Sequence, residues 1–120
     1  MKRYLITGGA GFIGSSLVRR LVTKSNYICV VDKLSYSSNI SNISSELKKK
    51  KIIFKKIDFS NFKKTLKCIY NFKPDVILHL AAESHVDRSI DNNYPFIKSN
   101  ILGTHSILES VRFYFNDLEK

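Results

Sequence analysis

Four of the five glycines in this 120-residue chain fall within Gly8–Gly14, in the stretch "GGAGFIG". They directly follow the apolar run Tyr4–Ile6 and open "GFIGSSLVRRLVTK", whose apolar residues at 13, 17, 18, 21 and 22 share one helical face. The chain must therefore pass from a buried strand through a tight turn into a helix. Two overlapping patterns are satisfied, Gly9-x-Gly11-x-x-Gly14 and Gly8-x-x-Gly11-x-x-Gly14. In the context of strand, turn and helix, such spacing lets a backbone approach a pyrophosphate. A side chain on the central glycine would hold the phosphates away. The helix N-terminus beyond it offers unpaired N–H groups and a positive dipole end. The competing reading is a tight strand-to-helix turn with no ligand.

The remaining pattern repeats this alternation. "NYICVVD" is a second β-branched run, ending at Asp32. A polar, turn-rich stretch follows, with a short helix reaching toward Lys50. "KIIFKKID" predicts a third strand, and "NFKKTLKCIYNF" a helix with apolar positions 62, 66, 69 and 72, stopped by Pro74. "DVILHLAA" predicts a fourth strand. A long helix is expected within 91–119, with Pro95 near its start and one apolar face at Ile97, Ile101, Thr104, Leu108, Val111, Phe115 and Leu118. Strands that are apolar throughout indicate a parallel sheet covered on both faces. The expected class is α/β, a Rossmann-type parallel sheet of about four strands with helices on both faces, in the order 3-2-1-4 and incomplete at one edge.

Composition narrows the classes. The hydrophobic fraction of 43% supports a real core, and the length suits one domain or part of a larger one. No stretch approaches the ~20 apolar residues of a membrane helix, and no signal peptide is visible. Cys29 and Cys68 lie far apart without metal spacing and read as buried free thiols of a reducing cytoplasm. The net charge of +10 has its densest run at Lys48–Lys51, followed by Lys55, Lys56, Lys63, Lys64 and Lys67. A basic stripe can be a nucleic-acid footprint. These lysines flank a strand and decorate a helix without an interleaved recognition pattern, so a solvated surface is the preferred reading. A Lys-, Asn-, Ile- and Ser-rich composition also suits an A+T-rich genome.

In a doubly wound sheet ligands lie outside the carboxyl ends of the strands. A carboxylate at Asp32 there accepts from a ribose hydroxyl and repels a 2′-phosphate, which favours NAD over NADP; Lys33 beside it weakens that discrimination slightly. Asp58, ending the third strand, either reaches the adenine end of the same cofactor or caps the helix that follows. In "HLAAESHVDRSI", residues 79–90, an apolar strand runs straight into Glu83, Ser84, His85, Asp87, Arg88 and Ser89. Small Ala81 and Ala82 let a cofactor lie against the backbone, and the polar residues stand at the mouth of the site.

The stretches "ITGGAGFIGS", "VVDKLSYSSN", "HLAAESHVDRSI" and "FIKSNILGT" resemble the amino-terminal part of the dTDP-glucose 4,6-dehydratases, extended short-chain dehydrogenase/reductases. The glycine motif is common to the superfamily; "DKLSY" together with "AAESHVDRS" is much narrower. The resemblance implies NAD contacts from Gly8, Gly11, Phe12, Ile13 and Gly14 at the glycine turn. It implies that Asp32, Lys33, Leu34 and Ser35 hold the adenosine ribose and that Asp58 and Phe59 sit by adenine. Leu80, Ala81, Ala82, Glu83 and Ser84 would line the cofactor, with Ser84 also touching the nucleotide sugar, dTDP-glucose. Ser99 stands where the family usually has threonine. His79 and His105 read as structural. His85, Asp87 and Arg88 either organise the substrate mouth or pair with one another and cap the loop. Full-length relatives are expected to be homodimers, without nucleic-acid or membrane partners.

The family chemistry implied is hydride removal from the sugar C4, loss of water across C5 and C6, and hydride return to C6. It uses a Tyr-x-x-x-Lys pair and an Asp-Glu pair. Tyr70-Asn71-Phe72-Lys73 places lysine at three, Tyr94 and Lys98 have the spacing but fall at the start of the last helix and are not assigned to the pair, and no Asp-Glu dipeptide is present. No catalytic residue is assigned. Residues 1–120 are expected to be the NAD-binding Rossmann portion, with the catalytic portion absent. Three readings stand: part of a complete dehydratase, a truncated remnant without activity, or a basic nucleic-acid-binding module.

Overall fold

The strand spacing and β-branched content of the apolar runs are realised as one parallel sheet in the order β3-β2-β1-β4. The computed structural model describes residues 1–35, 37–83 and 90–120. The strands are β1 (Arg3–Thr7), β2 (Tyr27–Asp32), β3 (Ile52–Lys56) and β4 (Val76–His79). In register, Leu5 lies opposite Cys29 and Ile77, so β1 is central and flanked on both sides. β4 is shorter than "DVILHLAA" suggests. Beyond His79 the Leu80 N–H still reaches the Thr7 carbonyl at 3.2 Å, but the chain leaves the ladder there.

Side chains alternate across a strand, and both sides are covered. Ile6, Ile28 and Val30 face α1 (Phe12–Val22), where Val18 is fully buried, together with Ile43 and Ile52. Leu5, Cys29 and Val31 face α3 (Phe62–Phe72), meeting Cys68, Ile69 and Phe72. The polar stretch after β2 condenses into a 3₁₀ turn (Ile40–Ile43) and the short α2 (Ser44–Lys48). Asn61 caps α3 by accepting from the Lys64 N–H at 3.1 Å. Left-handed Lys73 ends α3 just before Pro74.

The last helix departs from the sequence expectation. It starts as α4 (Tyr94–Phe96), passes through a π-helical segment (Ile97–Leu102) and continues as α5 (Gly103–Leu118). The expected apolar stripe is largely exposed: Ile101 by 62%, Leu108 by 63%, Phe115 by 56% and Leu118 by 63%. Buried instead are Ser99, Gly103, Ser106, Ile107 and Ser110. The cause is close packing. A Cβ on Gly103 would stand 2.2 Å from Cε2 of Phe59, so only glycine fits at that position. Leu108, Val111, Phe115 and Leu118 then border an open groove whose other wall is Ile77 and His79 of β4. Among the described residues no helix is long and apolar enough to cross a membrane.

An uncharged edge strand beside an exposed apolar helix face favours association. The isolated chain should therefore sediment as oligomers, and a Leu108→Lys/Phe115→Lys double variant should shift toward the single-chain mass. A monodisperse wild-type monomer in analytical ultracentrifugation would count against this.

Candidate functional site

The glycine turn is set by two close approaches. Gly8 adopts φ +70°, and a Cβ there would lie 2.7 Å from the Ala81 amide nitrogen. The turn thus presses against the chain leaving β4. At Gly14 a Cβ would lie 2.1 Å from the Gly8 carbonyl oxygen, which fixes α1 against the turn. Gly11 differs: its added Cβ would meet only the Gly8 carbonyl oxygen, at 3.3 Å, and Gly11 lines the cleft. Gly11 is also the N-cap of α1, with no side-chain cap and no acidic residue in the first turn. The first-turn N–H groups are therefore left without a side-chain acceptor, as an anion site requires.

Asp32 lies at the carboxyl end of β2 and is 5% exposed. Its Oδ2 accepts from the Ala10 N–H at 3.1 Å. Its Oδ1 accepts from the Leu34 N–H at 2.8 Å and the Ser38 hydroxyl at 2.9 Å. An ionised carboxylate offers about four acceptor positions, so one remains for a ligand hydroxyl. Leu34 reaches this geometry at φ +58°, a left-handed conformation that costs a branched residue about 1 kcal/mol. Strain of this kind concentrates at binding sites.

The facing wall comes from the segment after β4 and from the π-helical turn. Thr7 Oγ1 accepts from the Leu80 and Ala81 N–H groups, each at 3.2 Å, and lies 2.7 Å from His79 Nδ1. His79 Nε2 lies 3.1 Å from Thr104 Oγ1, and Phe59 packs edge-on against the ring. Burial pushes the His79 pKa below the usual imidazole range. The Asn100 amide brackets the Glu83 backbone, accepting from its N–H at 2.9 Å and donating to its carbonyl at 3.0 Å. The Lys33 ammonium spans the two walls, 3.3 Å from Glu83 Oε1 and donating to Ser99 Oγ at 2.8 Å. Glu83 Oε2 is buried and has no partner among the described residues.

These groups converge on one cleft, lined on one side by Gly8, Gly11, Asp32, Lys33 and Ser35 and on the other by Phe59, Leu80, Ala81, Ala82, Glu83 and Ser99. Phe12 and Ile13 stand outside it with exposed side chains, so any contact they make is through their backbone at the α1 N-terminus. Leu34 turns its side chain to the core. Asp58 accepts from the Ser60 N–H and hydroxyl and pairs with Lys98 at 3.4 Å. Hydrogen bonding from Ser60 and the Lys98 charge outweigh its desolvation, the largest single influence, and hold its carboxyl below the usual range. It shapes the turn before α3, while Asn61 is the cap. Ser84, His85, Asp87 and Arg88 lie outside the described residues, as does Tyr36. Sequence reading missed Ser37 and Ser38 in the cleft and Asn100 beside it; polar residues in a polar loop carry no periodic signal. Among the described residues no cluster of three metal-ligating side chains occurs.

The family model for GDP-mannose 4,6 dehydratase matches residues 5–120. A dTDP-glucose 4,6-dehydratase of Neisseria meningitidis serogroup B is 39% identical over 119 residues, 98% of this chain and 34% of the relative. The crystal structure of a dTDP-glucose 4,6-dehydratase from Streptomyces venezuelae with NAD bound superposes with a TM-score of 0.83 at 35% identity, over 90% of this chain and 35% of that one. A Thermus thermophilus UDP-glucose 4-epimerase in complex with NAD gives 0.84 at 30% identity, over 93% and 34%. The chain belongs to the GDP-mannose 4,6 dehydratase family and spans about a third of the length of these relatives.

Two outcomes follow from the geometry. Gly14→Ala should lower stability by about 3 kcal/mol through overpacking against backbone, whereas Gly11→Ala should cost no more than about 1 kcal/mol as an N-cap change. Denaturant melts that rank the two the other way would refute the assignment of roles. For His79 the folded pKa is depressed, so its contribution is present above the unfolded pKa and is lost as pH falls through the folded one. The melting temperature should thus drop from about pH 7 to pH 5, and less so in a His79→Gln variant.

Proposed function

We propose that this member of the GDP-mannose 4,6 dehydratase family binds NAD in the cleft and forms the cofactor-holding part of a dTDP-glucose 4,6-dehydratase. The observation that carries this reading is the convergence of Gly11, the uncapped α1 N-terminus and the Asp32 carboxylate on one cleft. The donor set fits a dinucleotide: N–H groups for the pyrophosphate, one free acceptor position for a ribose hydroxyl, and small Ala81 and Ala82 beside the rings. The Lys33 ammonium is committed to Glu83 and Ser99. It is therefore not offered to a 2′-phosphate, which supports NAD over NADP.

Bound in this cleft, NAD would supply the hydride-accepting and hydride-returning chemistry. This chain's own residues orient it: the glycine turn sets the phosphates and Asp32 the ribose. Glu83 is fixed by Asn100 and Lys33, and Ser84, next in sequence, is proposed to meet dTDP-glucose. No Asp-Glu pair is present in the 120 residues, and Tyr94 and Lys98, though spaced as Tyr-x-x-x-Lys, do not line the cleft: Tyr94 is exposed and Lys98 pairs with Asp58. Binding alone does not lower a chemical barrier, which needs groups placed at the reacting atoms. The reading places the protein in the cytoplasm, where the free thiols Cys29 and Cys68 would stay reduced.

Titration calorimetry is the test. NAD should bind with NADP much weaker, Asp32→Ala should lose about 1–3 kcal/mol of binding free energy, and Gly11→Ala should lose affinity without losing the fold. Equal affinity of the Asp32→Ala variant would remove the assignment. Mixed with NAD and dTDP-glucose, the chain should produce no keto sugar, and turnover should appear only when a polypeptide carrying the Tyr-x-x-x-Lys and Asp-Glu pairs is supplied.

A further inference from the structure

The face of the sheet away from α1 carries two thiols that the proposed function does not use. Cys29 sits in the middle of β2 and points toward α3, where Cys68 meets it within the cluster of Leu5, Val31, Ile69 and Phe72. Both line a groove of about 410 Å³ that opens between β3 and α3 and is flanked by Arg3, Lys55 and Lys67. Lys55 and Lys67 are exposed at its rim. Arg3 is fixed there by donating from Nε to the Phe72 carbonyl at 2.7 Å. Both thiols are buried, Cys29 at 1% and Cys68 at 9% exposure, yet both line one solvent-open, cationic groove, so a small oxidant entering it meets Cys68 first.

We propose that Cys29 and Cys68 form an oxidative modification site, in which a peroxide entering the groove oxidises Cys68 and Cys29 resolves the product as a disulfide tying β2 to α3. In the first step the Cys68 thiolate attacks a peroxide oxygen. The S–O bond forms, the O–O bond breaks and hydroxide leaves; sulfur loses two electrons and the peroxide gains them. In the second step the Cys29 sulfur attacks the sulfenic sulfur. The S–S bond forms, the S–O bond breaks, and hydroxide departs with the Cys29 proton as water. The order of attack follows from the pair's asymmetry. The hydrogen bond from Cys29 lowers the Cys68 pKa, with Lys55 adding to it, while the same bond and burial raise that of Cys29. Once Cys68 is oxidised the thiolate that held up Cys29 is gone, and Lys55 remains to favour its ionisation.

The chain, reduced and then exposed to hydrogen peroxide, is followed by thiol titration under denaturing conditions and by intact mass. The expected result is loss of both thiols together, a mass lower by two hydrogens, and full recovery with dithiothreitol. In Cys29→Ser, Cys68 should accumulate as sulfenic acid trapped by dimedone; in Cys68→Ser, Cys29 should react many-fold more slowly. Lys55→Gln should slow the first step several-fold. Persistence of both thiols under peroxide that oxidises free cysteine would overturn the proposal. So would equal rates at the two cysteines, as an unfolded chain would give, or a disulfide formed only between chains.

Discussion

A buried carboxylate must be given donors or it will not stay charged. Asp32 receives them from three places: the glycine turn through Ala10, its own following turn through Leu34, and the serine loop through Ser38. Those three segments meet at one carboxylate at the end of β2. The left-handed Leu34 is then intelligible. Its strain of about 1 kcal/mol is offset by a charge-assisted hydrogen bond of comparable or greater worth. The cleft is the space left when these segments close around one side of the carboxylate.

The second wall is held to the first by the backbone of Leu80 and Ala81 at Thr7, and by a cation. Lys33 follows Asp32 in sequence but extends across to Glu83 and Ser99. Ser99 lies in the π segment Ile97–Leu102, an irregularity often found beside functional sites. Asn100, next in that segment, holds the Glu83 backbone by both its polar atoms. One irregular helical turn thus positions the far wall twice over.

Strands, order and glycine turn were legible because each rests on local chemistry: continuous apolar runs, a helix period, glycines between them. The cleft was legible because parallel strands all end on one side, so Asp32, Leu80 and Glu83 had to meet there. The orientation of the last helix was not. Its apolar stripe through Leu108 and Phe115 has a stronger periodic signal than Gly103, Ser106 and Ser110, yet the small residues are the buried ones, and at Gly103 Phe59 leaves no room for a Cβ. Steric allowance from a residue 44 positions away in sequence, the separation of Phe59 and Gly103 (103 − 59), leaves no trace in a period. The same holds for Ser38 and Asn100, whose partners are set by tertiary closure.

The two borders of the sheet are chemically unlike. β3 shows Lys55 and Lys56 to solvent, and the run Lys48–Lys51 leads into it. A strand approaching there must bring its backbone past exposed ammonium groups, a charge pattern that blunts sheet edges. β4 presents Val76, Ile77, Leu78 and His79, with no such toll. The sheet therefore has a growing end and a blocked end. Much of the chain's positive charge, which contributes nothing to the cleft, acts as a one-way valve on which strands can be added and where.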